Sequence, residues 1–164
     1  MTGDEERRIQ RLEDIENIRR LKAMYATYFD EALNGGGEFP PRILLDQFTP
    51  DAVWESSSFG QFTGHDRIRG FLEDYRSRVS FCLHYILGHT IDVDEDRNTA
   101  VGRWITWEPM TLDGIAVLLA GHYVDEFQRF GEQWLFKSIR LDVAFLVPYD
   151  RGWAEQRIMP EWKW

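Results

Sequence analysis

The residues with the most evident capacity for chemistry are an imidazole set in an apolar run and a carboxylate that closes an uncharged one. Residues 81 to 93, from Phe81 to Val93, are apolar and β-prone and carry two histidines, His84 and His89. Along a strand, side chains alternate between faces, so Cys82, His84, Ile86 and Gly88 share one face while Phe81, Leu83, Tyr85, Leu87 and His89 share the other. Both faces are largely apolar and both must be covered. His84 therefore reads as a base in a buried strand, with a core histidine satisfied by a backbone carbonyl as the plain alternative. Either way it needs a partner, because a buried polar group left without one costs about 1 to 3 kcal/mol. Asp30 follows a stretch, Ala23 to Phe29, that holds no charge, so this part of the chain is expected to be enclosed with an acid at its end. No metal site is expected. His84 and His89 lie on opposite faces, and the single cysteine, Cys82, supports neither a disulfide framework nor a thiolate site.

The elements that must hold these groups follow from periodicity. Residues 4 to 33 lack Gly and Pro and are rich in Glu, Arg, Leu, Ile and Ala, which predicts one long helix beginning near Asp4 and stopped by Gly35-Gly36-Gly37. Ile18, Leu21, Tyr25, Tyr28 and Phe29 fall within about 100° of arc and form its core stripe. Pro40 and Pro41 open a short second helix to Phe48, using the fixed proline φ at a helix start. Thr49-Pro50-Asp51 then turns the chain into a short strand from Ala52 to Glu55. Thr63-Gly64-His65-Asp66 precedes a third helix expected to run to about Ser77, with Ile68, Phe71, Leu72 and Tyr75 inward. From there the period changes to two, and four long strands are expected at 80–93, 99–110, 115–129 and 134–147. Short polar turns between them give an antiparallel meander, on one face of which three helices must pack. The class is α+β, in one domain spanning 1–164, with 80–148 as the meander and 149–164 as a tail. The tail, with Trp153, Trp162 and Trp164, is a candidate lid or subunit contact.

Composition narrows the function. A formal charge of −9 argues against a nucleic-acid partner, whose binding rests on Lys and Arg neutralising phosphates. The charged N-terminus and the lack of any apolar run of span length predict no membrane segment and a cytoplasmic protein. Aromatic residues are 15% of the chain, enough to line a cavity.

Four segments carry a resemblance: Tyr25-Ala26-Thr27-Tyr28-Phe29-Asp30, Leu45 through Trp54, Leu83 through His89, and Gly121 through Phe127. With the order of elements, they resemble the SnoaL-like branch of the nuclear transport factor 2-like superfamily over nearly the whole length. The resemblance implies a cone, with three N-terminal helices packed on a curved antiparallel sheet. Scytalone dehydratase, the bile acid 7α-dehydratases and the hexachlorocyclohexane dehydrochlorinases of that branch use an Asp-His dyad, and Asp30 and His84 stand at the matching positions. Tyr25 matches a tyrosine five residues before the aspartate in the bile acid enzymes, and Arg140 is the candidate for an arginine on their last strand. Scytalone dehydratase has a tyrosine directly before its aspartate. Here that position is Phe29, so the groups that polarise the substrate differ.

The resemblance thus implies a cofactor-free lyase, a dehydratase of a cyclic polyketide-, aromatic- or steroid-like substrate. An isomerase or cyclase of the same fold and a non-catalytic binding module are the alternatives. The expected substrate pocket, of roughly 300 Å³ or more, is lined by Tyr25, Tyr28, Trp54, Ile86 and Trp104, with His122 facing it. Tyr25, His122 and Arg140 also have plain packing explanations: a satisfied core hydroxyl, a cavity-lining ring and a sheet-face ion pair with Asp142. Outward apolar positions such as Tyr85 and Leu87 predict a homo-oligomer, a dimer or a trimer.

Overall fold

The computed structural model describes residues 2–154 and 156–158. Its first helix, α1, runs Gly3–Gly35. The Thr2 hydroxyl accepts from the Glu5 amide at 3.3 Å and the Glu5 carboxylate accepts from the Thr2 amide at 2.8 Å, a reciprocal cap placed slightly before the expected start at Asp4. Gly36, at φ 72°, supplies the left-handed residue that ends the helix. The buried stripe of α1 is Asp14, Ile18, Lys22, Tyr25, Phe29 and Leu33, with Ala26 beside it. This regular spacing of three and four places two charged side chains in positions the apolar pattern does not mark. Leu21 and Tyr28 pack at the margin instead.

Helix α2 spans only Arg42–Leu45 and does not reach Phe48. The next segment is strand β1, Phe48–Ser56, so Thr49-Pro50-Asp51 is part of a strand and not a turn before one. Pro50 and Asp51 bulge outward where the register with the last strand slips between Phe48 and Val53. β2, Gly60–Thr63, hairpins back on β1 and has no counterpart in the sequence reading. Helix α3 is His65–Arg78, burying Ile68, Phe71, Leu72 and Tyr75 as the period predicts.

The first predicted long strand is two strands, β3 (Val79–Cys82) and β4 (Tyr85–Val93), broken at Leu83 and His84. β5 (Thr99–Leu112), β6 (Ile115–Phe130) and β7 (Gln133–Pro148) complete the meander. The sheet order is β2-β1-β7-β6-β5-β3, with β4 also paired to β5. Between these strands pairing is antiparallel except for β1 beside β7, which is parallel. The result is the expected α+β architecture: helices packed on one face of a strongly curled sheet.

Two glycines release the strands where they bend. Gly88, at φ 49°, sits in the bulge between Leu87 and His89 and resets the alternation of β4, after which Ile91 and Val93 are the buried residues. Gly121 sits at a register shift in β6, and a Cβ there would lie 2.4 Å from the backbone oxygen of Asp142. Since that neighbour is backbone in the next strand, Gly121→Ala is expected to destabilise by about 1 to 3 kcal/mol, read as a lower denaturation midpoint at unchanged slope. An unchanged midpoint would show that β6 and β7 separate there freely.

Candidate active site

The break between β3 and β4 creates the site. Leu83 still donates its amide to the Pro109 carbonyl at 3.1 Å, but the amide of His84 leaves the sheet and donates to Asp30 Oδ2 at 2.8 Å. Its ring meets the other carboxylate oxygen, with Nδ1 2.6 Å from Asp30 Oδ1. One turn further along α1, Asn34 receives the Cys82 amide at 3.1 Å and donates to the Cys82 carbonyl at 2.9 Å. Thus two side chains spaced i, i+4 on a helix take the hydrogen bonds that a neighbouring strand would take from a sheet edge. Asp30 lies inside a regular helix that continues to Gly35. The ring of Phe29 packs 4.7 Å and that of Tyr25 6.4 Å from the imidazole, so this end of α1 is enclosed around His84.

With Nδ1 committed to a carboxylate, it carries the hydrogen, and Nε2 is the working atom. It lies 3.8 Å from Oε2 of Glu108, a residue the sequence reading passed over. Even-numbered residues of β5 point inward, so Glu108 is an acid in a buried register, only 2% exposed. Its Oε1 accepts from the Thr106 hydroxyl at 2.7 Å and the Tyr123 hydroxyl at 3.1 Å. Burial of the His84 ring opposes its charge, but the Glu108 carboxylate, Cys82 and the Asp30 hydrogen bond prevail and hold its pKa well above the ordinary value.

The cavity beside Nε2 holds only about 20 Å³, room for about one water, and not the 300 Å³ expected. Aromatic rings fill it: Tyr25 and Phe29 from α1, Trp54 from β1, Phe59 from the β1–β2 turn, Phe71 and Tyr75 from α3, and Tyr123 from β6. Tyr25 accepts a hydrogen bond from Trp54 Nε1 at 3.3 Å, which leaves its own proton available. Burial pushes the Tyr25 phenol far up, so it stays a donor.

Of the remaining predicted residues, the structure brings only Trp54 to this cavity. Trp104 is buried, but its indole folds back over Gly102 and packs against Phe127. Ile86 is half-buried against the core, and Tyr28 lines a separate surface hollow with Arg20, Met24 and Ile43. His122 and Arg140 are exposed on the outer face, where strand alternation turns them away from the buried Tyr123 and Ile139, and Arg140 faces Asp142 at 3.6 Å. Trp153 stacks on Phe145 at 4.8 Å and is not among the cavity residues; Trp162 and Trp164 lie outside the described residues. Asp30, Cys82 and His84 present possible metal-ligand atoms within 4.8 Å of one another. They suit a metal poorly, since Nδ1 is bonded to Asp30 and burial raises the Cys82 thiol pKa, which disfavours the thiolate a metal needs.

A family model described as a SnoaL-like domain matches residues 10–140. The chain belongs to the SnoaL-like family. Its fold is also that of a structure described as a nuclear transport factor 2-like protein, as its quoted segments imply. Among solved structures similar to this SnoaL-like chain, one from Novosphingobium aromaticivorans, described as an aromatic ring hydroxylase, is 26% identical with a TM-score of 0.70, covering 84% of this chain and 94% of that one. A LinA-type hexachlorocyclohexane dehydrochlorinase from Novosphingobium barchaimii LL02 is 17% identical with a TM-score of 0.74, covering 88% and 95%. A protein from Novosphingobium aromaticivorans DSM 12444 described as a scytalone dehydratase is 21% identical with a TM-score of 0.72, covering 85% and 89%. These last two share the fold. No curated protein matches the sequence. Among the described residues, no helix is long and apolar enough to cross a membrane.

Proposed function

We propose that the protein is a cofactor-independent lyase, a dehydratase that uses the Asp30–His84 dyad to remove a proton from carbon and eliminate water from a cyclic polyketide-, aromatic- or steroid-like substrate. The observation that carries this reading is the 2.6 Å contact of Asp30 with Nδ1 of a histidine whose Nε2 faces an aromatic-walled cavity. In its neutral form His84 takes a proton from carbon next to a carbonyl, and Asp30 fixes the tautomer and steadies the imidazolium that forms. Tyr25 supplies the hydrogen bond to the oxygen on which charge develops. Arg140, on the outer face, has no part in it. The converged groups are an imidazole, carboxylates and phenols, all of which move or donate protons. The dehydratase and dehydrochlorinase names of two structures sharing the fold support the same chemistry. A ring-sized substrate enters by displacing some of the aromatic side chains that line the cavity.

Incubation with a panel of cyclic β-hydroxyketones tests this. A product lighter by one water identifies the lyase, and an unchanged mass with a moved double bond identifies the isomerase. Binding without turnover, insensitive to His84→Ala, identifies a binding module.

We further infer self-association. Tyr85, Leu87 and Ile105 are each about half exposed, and Leu87 pairs with Ile105 across β4 and β5, giving an apolar outer strip that a second copy would cover. Light scattering at micromolar concentration is expected to give a dimer or trimer mass, and a monomer would overturn this.

A further inference from the structure

On the side of His84 away from Asp30 stands a carboxylate that the dyad leaves without a task. Resting on the dyad reading, we propose that Glu108 is the general acid of the site: Glu108 Oε2 protonates the departing hydroxyl while His84 Nε2 takes the proton from carbon. The geometry divides the two oxygens of Glu108. Oε1 accepts from both Thr106 and Tyr123, so it takes the carbonyl role, and a proton on the carboxyl belongs on Oε2, the oxygen nearest Nε2. At 3.8 Å the two atoms are too far apart for a direct hydrogen bond, yet near enough to address neighbouring atoms on one face of a bound ring. Such an arrangement performs a syn elimination with separate groups for its two proton transfers.

The step balances without a co-reactant. The C–H electron pair becomes the new C=C bond as its proton moves to Nε2, the C–O bond breaks, and the hydroxyl leaves as water with the Glu108 proton. Imidazolium and carboxylate remain, and transfer of the Nε2 proton back to Oε2 resets the pair. Both charge states belong to one shared proton. Without substrate, burial opposes the charge on His84 but its carboxylate neighbours hold the ring charged, and the reaction starts from the arrangement in which the shared proton has moved from Nε2 to Oε2. The titratable groups facing His84 are Tyr25 and Asp30 from α1, Tyr75 from α3, Cys82 from β3, Glu108 from β5 and Tyr123 from β6.

The test compares two probes in the full-length protein. 3-Hydroxy-1-tetralone must lose a hydroxyl, which needs both base and acid. 1-Tetralone can only exchange its C2 hydrogen for solvent deuterium, which needs the base alone. Glu108→Gln is expected to lower dehydration about 10²-fold relative to exchange, both read on the pH plateau of each protein, because loss of the carboxylate also lowers the His84 pKa. Equal loss of both would overturn the proposal by making Glu108 a support for His84, and loss of neither would overturn it by leaving Glu108 no role. A wild-type protein that neither dehydrates nor exchanges would sink the dyad reading itself and this proposal with it. The downfield Nδ1–H proton resonance of His84 reports whether the Asp30 contact survives substitution. If Glu108→Gln loses it, Glu108→Asp is the second variant. That change keeps an acidic proton and is expected to retain part of the dehydration with exchange intact, while a loss matched in both reactions again overturns the role.

Discussion

His84→Ala and Asp30→Asn are each expected to lower turnover by about 10²-fold to 10⁴-fold, with the double variant scarcely worse than either alone. The first removes the group that takes the proton. The second keeps the shape of the partner but changes what it offers: a carboxylate only accepts, whereas an amide also presents N–H groups, which favour the tautomer with hydrogen on the wrong nitrogen. Asp30 also receives the His84 backbone amide at 2.8 Å, so an asparagine whose one oxygen keeps that bond turns its NH2 toward Nδ1. Because both residues serve one proton transfer, removing the second after the first has little left to remove. Ligand binding is expected to persist in both variants, since aromatic rings make most of the cavity wall. Steady-state rates on a dehydrated substrate decide it: losses that add on a logarithmic scale would show that the two act separately and would sink the dyad.

The helices and the meander were legible because their periods are local properties of the sequence. So were Asp30 and His84, one as an acid ending an uncharged helical stretch and the other as a polar group in an apolar run. The break at His84 was not, because nothing in Cys82-Leu83-His84-Tyr85 is unfit for a strand. It is the Asp30 and Asn34 side chains, from a distant helix, that compete for the backbone groups of Cys82 and His84. Glu108 left a readable signal, an acid in the inward register of β5, but a reading that counts apolar positions passes over it. The pocket was overestimated for a related reason. Aromatic content shows that rings are available to line a cavity, and here the same rings occupy it. Arg140 and His122 show what alternation decides: one step along a strand separates the cavity from solvent.

The largest stability effect is expected at Lys22, the other charge that the apolar stripe of α1 conceals. Its Nζ lies 2.8 Å from Asp125 Oδ2, with side chains 1% and 0% exposed, and 3.5 Å from the centre of the Tyr123 ring. Burial pushes Lys22 down and Asp125 up to about 6, each opposed by attraction to the other. Neither atom of the contact has a well-aligned hydrogen bond, so charge holds the pair. Removing one partner strands the other in a region that water does not reach. Lys22→Met and Asp125→Leu are therefore each expected to destabilise by about 3 to 5 kcal/mol, while the double variant recovers most of the loss because no buried charge is left uncompensated. Denaturant titration of all four proteins closes the cycle, and single variants within about 1 kcal/mol of wild type would show that the pair is already neutral or hydrated. The pair also bears on the site, since the ammonium packs on the ring whose hydroxyl donates to Glu108 Oε1. If the double variant folds stably but loses more activity than stability, Lys22 positions Tyr123, and a charge on one face of α1 supports the same cavity as the carboxylate of Asp30.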